Sequence, residues 1–221
     1  MPLNILVILI NSKVMTTISY AITANDEAVE LERLLDQINE HIRPEDEVLV
    51  QMDTTATPEV RKVASKYNVG ASYEYHRIYA SLNNDFATFK NNLKEYCTRD
   101  YIIFLDADEY FSEDLLLDLP EIVDINNHIE LFAVPRINTV EELTEEHIKK
   151  WGWYVNQNGW INYPDAQDRI IKNKKEIRWV NKVHEKIIGA LTQTVLPEGY
   201  DLIHHKTIEK QEKQNNYYST L

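Results

Sequence analysis

An α/β fold, with a mostly parallel sheet flanked by helices, is what this sequence predicts, and three observations predict it. Strand-like runs rich in β-branched and aromatic residues alternate with amphipathic helical stretches from Thr16 to Ile137. One of the runs, 101–105, is continuously apolar, as strands buried on both faces are, and it and the run 47–52 each end at an aspartate, Asp106 and Asp53. The 221 residues are 43% hydrophobic and 27% charged with only five Gly, a composition that suits one well-buried core rather than a low-complexity chain.

The elements follow in order. Residues 4–10 are apolar but too few to span a bilayer, and no positive start or small-residue cleavage site marks them as a leader. Because Met15 stands directly before the strand Thr16–Thr23, residues 1–14 are expected to be an extension outside a single domain, 15–221. The break at Asn25-Asp26-Glu27 starts a helix that Asn25 or Asp26 can cap, with Leu31, Leu34, Leu35, Ile38 and Ile42 at helical spacing until Pro44. A second helix is expected over 58–67 and a third strand over 69–75. In the helix from Asp85 to Cys97, Phe86, Phe89, Leu93 and Tyr96 share one face, with Lys90 and Asn91 off it. A helix over 113–123 leads to a strand over 131–137, whose Pro135 implies an edge or a bulge.

The second half reads differently. Residues 141–150 form a charged helix, and Trp151, Trp153 and Trp160 fall within ten residues, where they either fill a core or line a sugar site. Residues 163–185 read as a hairpin followed by a loop, and His204 and His205 stand at a strand end before a polar last helix.

Asp106-Ala-Asp108-Glu109 at the end of a buried strand is the stretch that carries chemistry. Ligands bind at the carboxyl ends of strands in open α/β sheets. Three carboxylates within four residues repel one another unless a cation neutralises them, and Mg²⁺ or Mn²⁺ takes such oxygen ligands. A net charge of −13 disfavours a nucleic-acid or anionic-membrane partner. The single cysteine, Cys97, allows no internal disulfide and fits a reducing cytoplasm; it reads as a small buried hydrophobe.

Taken in order, these pieces resemble family-two glycosyltransferases of the GT-A fold, in which an Asp-x-Asp motif follows an apolar strand. Gln167-Asp168-Arg169 with Val183-His184-Glu185 resembles the branch that includes lipopolysaccharide-core and peptide glucosyltransferases. The stretches 134–139, 151–153 and 163–165 are similar to unassigned phage-encoded enzymes. The resemblance implies a Rossmann-like nucleotide-sugar-binding half, 15–139, and a smaller acceptor-side half, 140–221. It implies donor contacts from Thr23, Asp26 (where the family commonly has Asn), Glu27, Asp53, Lys90, Asn91 and Asp106. Asp106 and Asp108 would hold the metal with a third ligand, His204, from the C-terminal part. The reaction implied is metal-dependent, inverting transfer of a sugar from a nucleoside-diphosphate sugar to a hydroxyl of a glycan, lipopolysaccharide, protein or modified base. Such a transfer needs a carboxylate base, for which Glu185 comes first and Asp165 second, with Asp168 set aside because Arg169 could pair with it. A nucleotidyltransferase is the rival enzyme, although Thr23–Glu27 holds no Gly; a nucleotide-sugar-binding protein without turnover is the rival outside enzymes.

Overall fold

The computed structural model describes residues 15–67 and 71–218. The expected extension, 1–14, lies outside the described residues. Strands β1 (Ile18–Ala24), β2 (Glu47–Asp53), β3 (Glu74–Ala80) and β4 (Tyr101–Asp106) run parallel in the order 3-2-1-4. Helices α1 (Ala28–His41), α2 (Pro58–Lys66) and α3 (Phe86–Tyr96) connect them. After β4 the chain makes β5 (Glu109–Phe111), α4 (Glu113–Ile125), β6 (Leu131–Val134), β7 (Arg136–Glu141), α5 (Glu145–Trp151) and β8 (Gln167–Lys172). Then come β9 (Arg178–Val180), β10 (Lys186–Ile188), β11 (Gln193–Val195), β12 (Leu202–Thr207) and α6 (Ile208–Tyr218).

The central sheet has seven strands in the order β11-β6-β8-β4-β1-β2-β3, with β8 antiparallel to both neighbours. Two smaller sheets accompany it among the described residues. In one, β12 lies between β5 (antiparallel) and β7 (parallel); in the other, β9 pairs with β10. Strand alternation divides the core in two. On one face Ile18, Tyr20 and Ile22 of β1 pack with Leu31, Leu34 and Leu35 of α1 and with apolar residues of α2 and α4. On the other, Ala21, Ile102 and Phe104 pack against Leu93 of α3 and Trp179 of β9.

Several elements depart from expectation for physical reasons. The third strand runs from Glu74 to Ala80, not over 69–75, because it is the sheet edge: most of its residues are exposed and it shows no apolar run. The expected strand over 131–137 is split by Pro135, which supplies no N–H for the ladder, so Leu131–Val134 stays in the central sheet and Arg136–Glu141 joins the small one. The hairpin over 163–185 does not form. Ile170 and Ile171 are both fully buried, one on each face of the central sheet, and an isolated hairpin could not cover both. The charged helix starts only at Glu145, since Glu141 ends β7. Neither Asn25 nor Asp26 caps α1; Glu27 takes that position.

On α3 the buried stripe is wider than expected. Lys90 and Lys94 are buried with Phe89 and Leu93, whereas Tyr96 is half exposed. The packing of β9 against this helix explains the difference, because Lys90 lies over the Trp179 ring at 4.7 Å.

Candidate active site

The parallel strands deliver their carboxyl ends to one cleft of about 770 Å³. Thr23 of β1, Glu27 after it, Asp53 of β2, and Asp106 and Asp108 of the β4 end line it together with Arg136 of β7 and with Asp165, Glu185 and His204 from the second half.

Asp53 ends β2 and accepts hydrogen bonds from the backbone N–H of Thr55 (2.7 Å) and Leu82 (2.6 Å) and from the Thr55 hydroxyl. Burial alone would raise its pKa, but these bonds prevail and hold it below the usual carboxylate range. It does not cap the next helix, since Thr57 does. Glu27 folds back to accept from the N–H groups of Asn25 (2.8 Å) and Asp26 (3.0 Å). Burial pushes its pKa up to about 7 against those N–H groups, and the negative charges of Asp108 and Asp26 add to the rise. Asp26 is exposed and reaches Lys213 of α6 at 3.3 Å.

Asp106 and Asp108 are the ends of one chain of side-chain contacts. The Arg169 Nη2 donates to Asp106 Oδ2 (3.0 Å) and to Glu109 Oε1 (2.6 Å), and Arg136 Nη1 donates to the same Glu109 oxygen (3.1 Å). Arg136 continues to Asp165 (2.8 Å), which also accepts from Asn138 (2.6 Å) and Gln167 (2.9 Å). Asn138 Oδ1 meets His204 Nδ1 at 2.9 Å, and His204 Nε2 lies 3.2 Å from Asp108 Oδ2. Five strands and two turns of the two halves are thereby tied through side chains alone.

The three neighbouring carboxylates are thus neutralised by the protein itself, in place of the mutual repulsion expected from their spacing. Burial acts to raise Asp106, yet Lys90 (3.5 Å), Arg169 and the Thr23 hydroxyl (3.0 Å) hold it far below the carboxylate range. Burial likewise opposes ionisation of Asp108, but the contact with His204 and the nearby Lys206 (3.6 Å) bring it to about 2. Glu109 is fully buried and kept ionised against its desolvation by the two arginines.

Lys90 reaches both halves. Its ammonium lies 2.7 Å from Glu185 Oε1 as well as 3.5 Å from Asp106. Asn91 does not line the cleft; its amide donates to the Trp179 carbonyl and accepts from the Trp179 N–H, both at 2.9 Å, and so fastens β9 to α3. Asp165 is immobilised by four hydrogen bonds to its carboxylate from three residues, Arg136, Asn138 and Gln167. Arg169 is not the partner of Asp168, and no hydrogen bond or ion pair holds the Asp168 carboxylate among the described residues. Sequence reasoning missed Arg169 and Arg136 as site residues. The available signal was a lone arginine beside the apolar Ile170-Ile171 pair, since an arginine on a buried strand needs a buried anion.

This arrangement defines an α/β fold of the GT-A type, and the structural matches agree. The crystal structure of S. aureus TarS 1-349 in complex with UDP-GlcNAc matches with a TM-score of 0.63 at 15% identity, over 87% of this chain and 59% of that one. The same protein in complex with UDP matches with a TM-score of 0.61 at 14% identity, over 86% of this chain and 60% of that one. This chain therefore spans about three fifths of the TarS chain it matches. Residues 19–181 match the family model for glycosyl transferase family 2, and the chain belongs to that family. No curated protein matches the sequence.

Proposed function

We propose that this chain is a metal-dependent, inverting glycosyltransferase that moves a sugar from a nucleoside-diphosphate sugar to an acceptor hydroxyl. The convergence of Asp53, Asp106 and Asp108 in one cleft, at the carboxyl ends of two parallel strands, β2 and β4, where the fold binds ligands, carries the reading. Thr23, Glu27 and Asp53 meet the nucleoside. Asp26 and Asn91, both outside that lining, act at most through neighbours: Asn91 holds Trp179, which lies under Lys90. Phage-encoded enzymes remain the branch that the second-half motifs resemble.

The donor set at Asp108 and His204 fits Mn²⁺ or Mg²⁺: a carboxylate and an imidazole lie side by side, and Asn138 fixes the far ring nitrogen so that Nε2 faces the carboxylate. Asp106 sits beside them with both oxygens engaged, and diphosphate oxygens are the usual complement to so small a protein ligand set. The one cluster of three metal-type ligands among the described residues, Glu47, Glu74 and His76, starts from the opposite ends of β2 and β3, where Arg99 reaches both glutamates. A metal held by Asp108 and His204 would supply positive charge to the departing diphosphate.

The chain's own residues do the rest. Glu185 takes the acceptor's proton as its oxygen bonds to the anomeric carbon, and the bond from that carbon to the diphosphate breaks on the opposite face. Lys90 holds Glu185 at 2.7 Å. A diphosphate beside Asp106 draws the ammonium toward itself and leaves Glu185 able to accept a proton. Calorimetry with UDP and GDP, in Mn²⁺ and in EDTA, tests the reading. Binding at least tenfold tighter with metal is expected, and equal affinity in EDTA for both nucleotides removes the metal from the mechanism.

A further inference from the structure

Of the four tryptophans, only Trp179 belongs to the hydrophobic core; Trp151, Trp153 and Trp160 lie in neither core cluster and are half-buried. The helix that ends at Trp151, α5, buries no residue at all. Filling the core therefore does not account for them. Trp153 lines the cleft, and two further rings back it: Trp151 at 4.6 Å, and His147 stacked on Trp151 at 5.1 Å with the planes 13° apart. Gly152 closes α5 in the left-handed conformation, φ 67°, and the Trp153 N–H returns to the Ile148 carbonyl at 3.0 Å, so the ring's place is set by backbone as well as stacking.

The same cleft holds the polar complement. Asn162 is pinned by two bonds to the backbone of Tyr154, donating through its own N–H (2.8 Å) and accepting at Oδ1 (2.9 Å), which leaves its amide donors without a partner among the described residues. Asp168 also lines the cleft and has no hydrogen-bonding or ionic partner there. A bulge in β8 itself, where Phe132 pairs with Ile170 but Ala133 with Asp168, leaves Arg169 as the extra residue and lets Asp168 and Arg169 both reach the cleft. Burial raises the Asp168 pKa despite the charge of Arg169.

We propose that Trp153 is the platform of an acceptor subsite for the pyranose ring of a neutral saccharide, with the C–H face of the sugar on the indole and its hydroxyls on Asn162 and Asp168. This rests on reading the chain as a glycosyltransferase. A fixed aromatic face in one cleft with a free amide donor and a free carboxylate acceptor matches a sugar, which presents an apolar face and a rim of hydroxyls. A lipid tail would leave both polar groups unpaired, and a phosphodiester chain would meet the unpaired Asp168 charge.

The test uses the full chain with UDP and Mn²⁺. Saturation-transfer NMR and tryptophan fluorescence are recorded with maltotriose, lactose, triacetylchitotriose and mannotriose. At least one is expected to bind, with affinity about tenfold lower in Trp153→Ala and mostly restored in Trp153→Phe, each variant having first been shown to melt cooperatively. The proposal is overturned if none of the four binds the wild type, if Trp153→Ala binds as well as wild type, or if adenosine shows the same Trp153 dependence as the saccharides. Nucleotide affinity is read in the same samples: its absence alongside Trp153-dependent sugar binding would break the donor assignment and leave the subsite standing.

Discussion

Residues 15–139 and residues 140–221 build their shares of the cleft by different means. In the first stretch, regular strand–helix repeats bring Thr23, Asp53 and Asp106 to the same edge by backbone geometry, since parallel strands end together. In the second, short strands and loops present Asp165, Glu185 and His204 through side-chain contacts, and Asn162, Asp165 and His184 take left-handed backbone angles. A site half made by backbone ends should tolerate side-chain changes in its scaffold; one made by side-chain networks should not. The comparison makes predictions that run from large effects to small.

The largest concerns turnover. If Glu185 is the base, Glu185→Gln lowers the rate by about 10²- to 10⁴-fold with nucleotide affinity nearly kept, because a general base acts on the acceptor's proton. Asp165→Asn should lower turnover less and the melting temperature more, since Arg136 loses one of its two ionic partners. Steady-state rates and thermal melts of both variants decide this, and the reverse ranking would make Asp165 the base.

Next comes the contact that joins the two stretches. Arg169 from the second is almost fully buried against Asp106 and the fully buried Glu109 from the first. Arg169→Met leaves the buried Glu109 with Arg136 alone and Asp106 without its arginine, and should cost about 3–5 kcal/mol in urea unfolding. A loss under about 1 kcal/mol would mean that Arg136 alone neutralises Glu109.

The contrast also explains what the sequence disclosed. Strand ends at Asp53 and Asp106 are local: an apolar run, then a carboxylate, each legible within ten residues. Arg169 reaches Asp106 across 63 positions and Asn138 reaches His204 across 66, and no periodicity encodes which distant partner a side chain will find. His204 came into view through family resemblance, not through spacing. The β8 strand was read as half of a hairpin because local pattern shows an apolar pair but not the two helix-covered faces that receive it. Tryptophan density was visible, yet its place outside the core depends on α5 burying nothing.

A smaller effect tests whether the first stretch hides inert groups. Burial and the charge of Glu47 push the Cys97 thiol from an ordinary value near 9 up to about 12, against a weak lowering by Ser19. Below pH 9 folded and unfolded chains both keep the proton, so Cys97 adds no pH dependence. Between pH 9 and 12 only the unfolded chain releases it, and stability falls by up to about 1.4 kcal/mol per pH unit. Urea unfolding of Cys97→Ala should therefore lose less stability than wild type from pH 9 to 10, and identical slopes would show the thiol to be accessible.

The smallest effect concerns where the first stretch begins. We propose that the domain starts at Met15, so a chain beginning there should melt within about 1 °C of the full chain, a surface-sized change. A chain beginning at Ile18 should not. It loses Thr16, whose hydroxyl donates to Asp124 (3.1 Å) and whose carbonyl accepts from Arg43 (2.8 Å), and Thr17, whose N–H and hydroxyl both donate to Asp100 at 2.9 Å. Asp100 and Thr17 are exposed enough for water to replace part of their bonds, whereas Asp124 and Arg43 are better covered, so the expected loss is about 1–2 kcal/mol rather than the sum of four bonds. If the Met15 chain itself melts several degrees lower, residues before it belong to the core. If the Ile18 chain melts with the Met15 chain, these hydrogen bonds hold the first strand no better than water does, and the edge of the regular stretch lies inside β1.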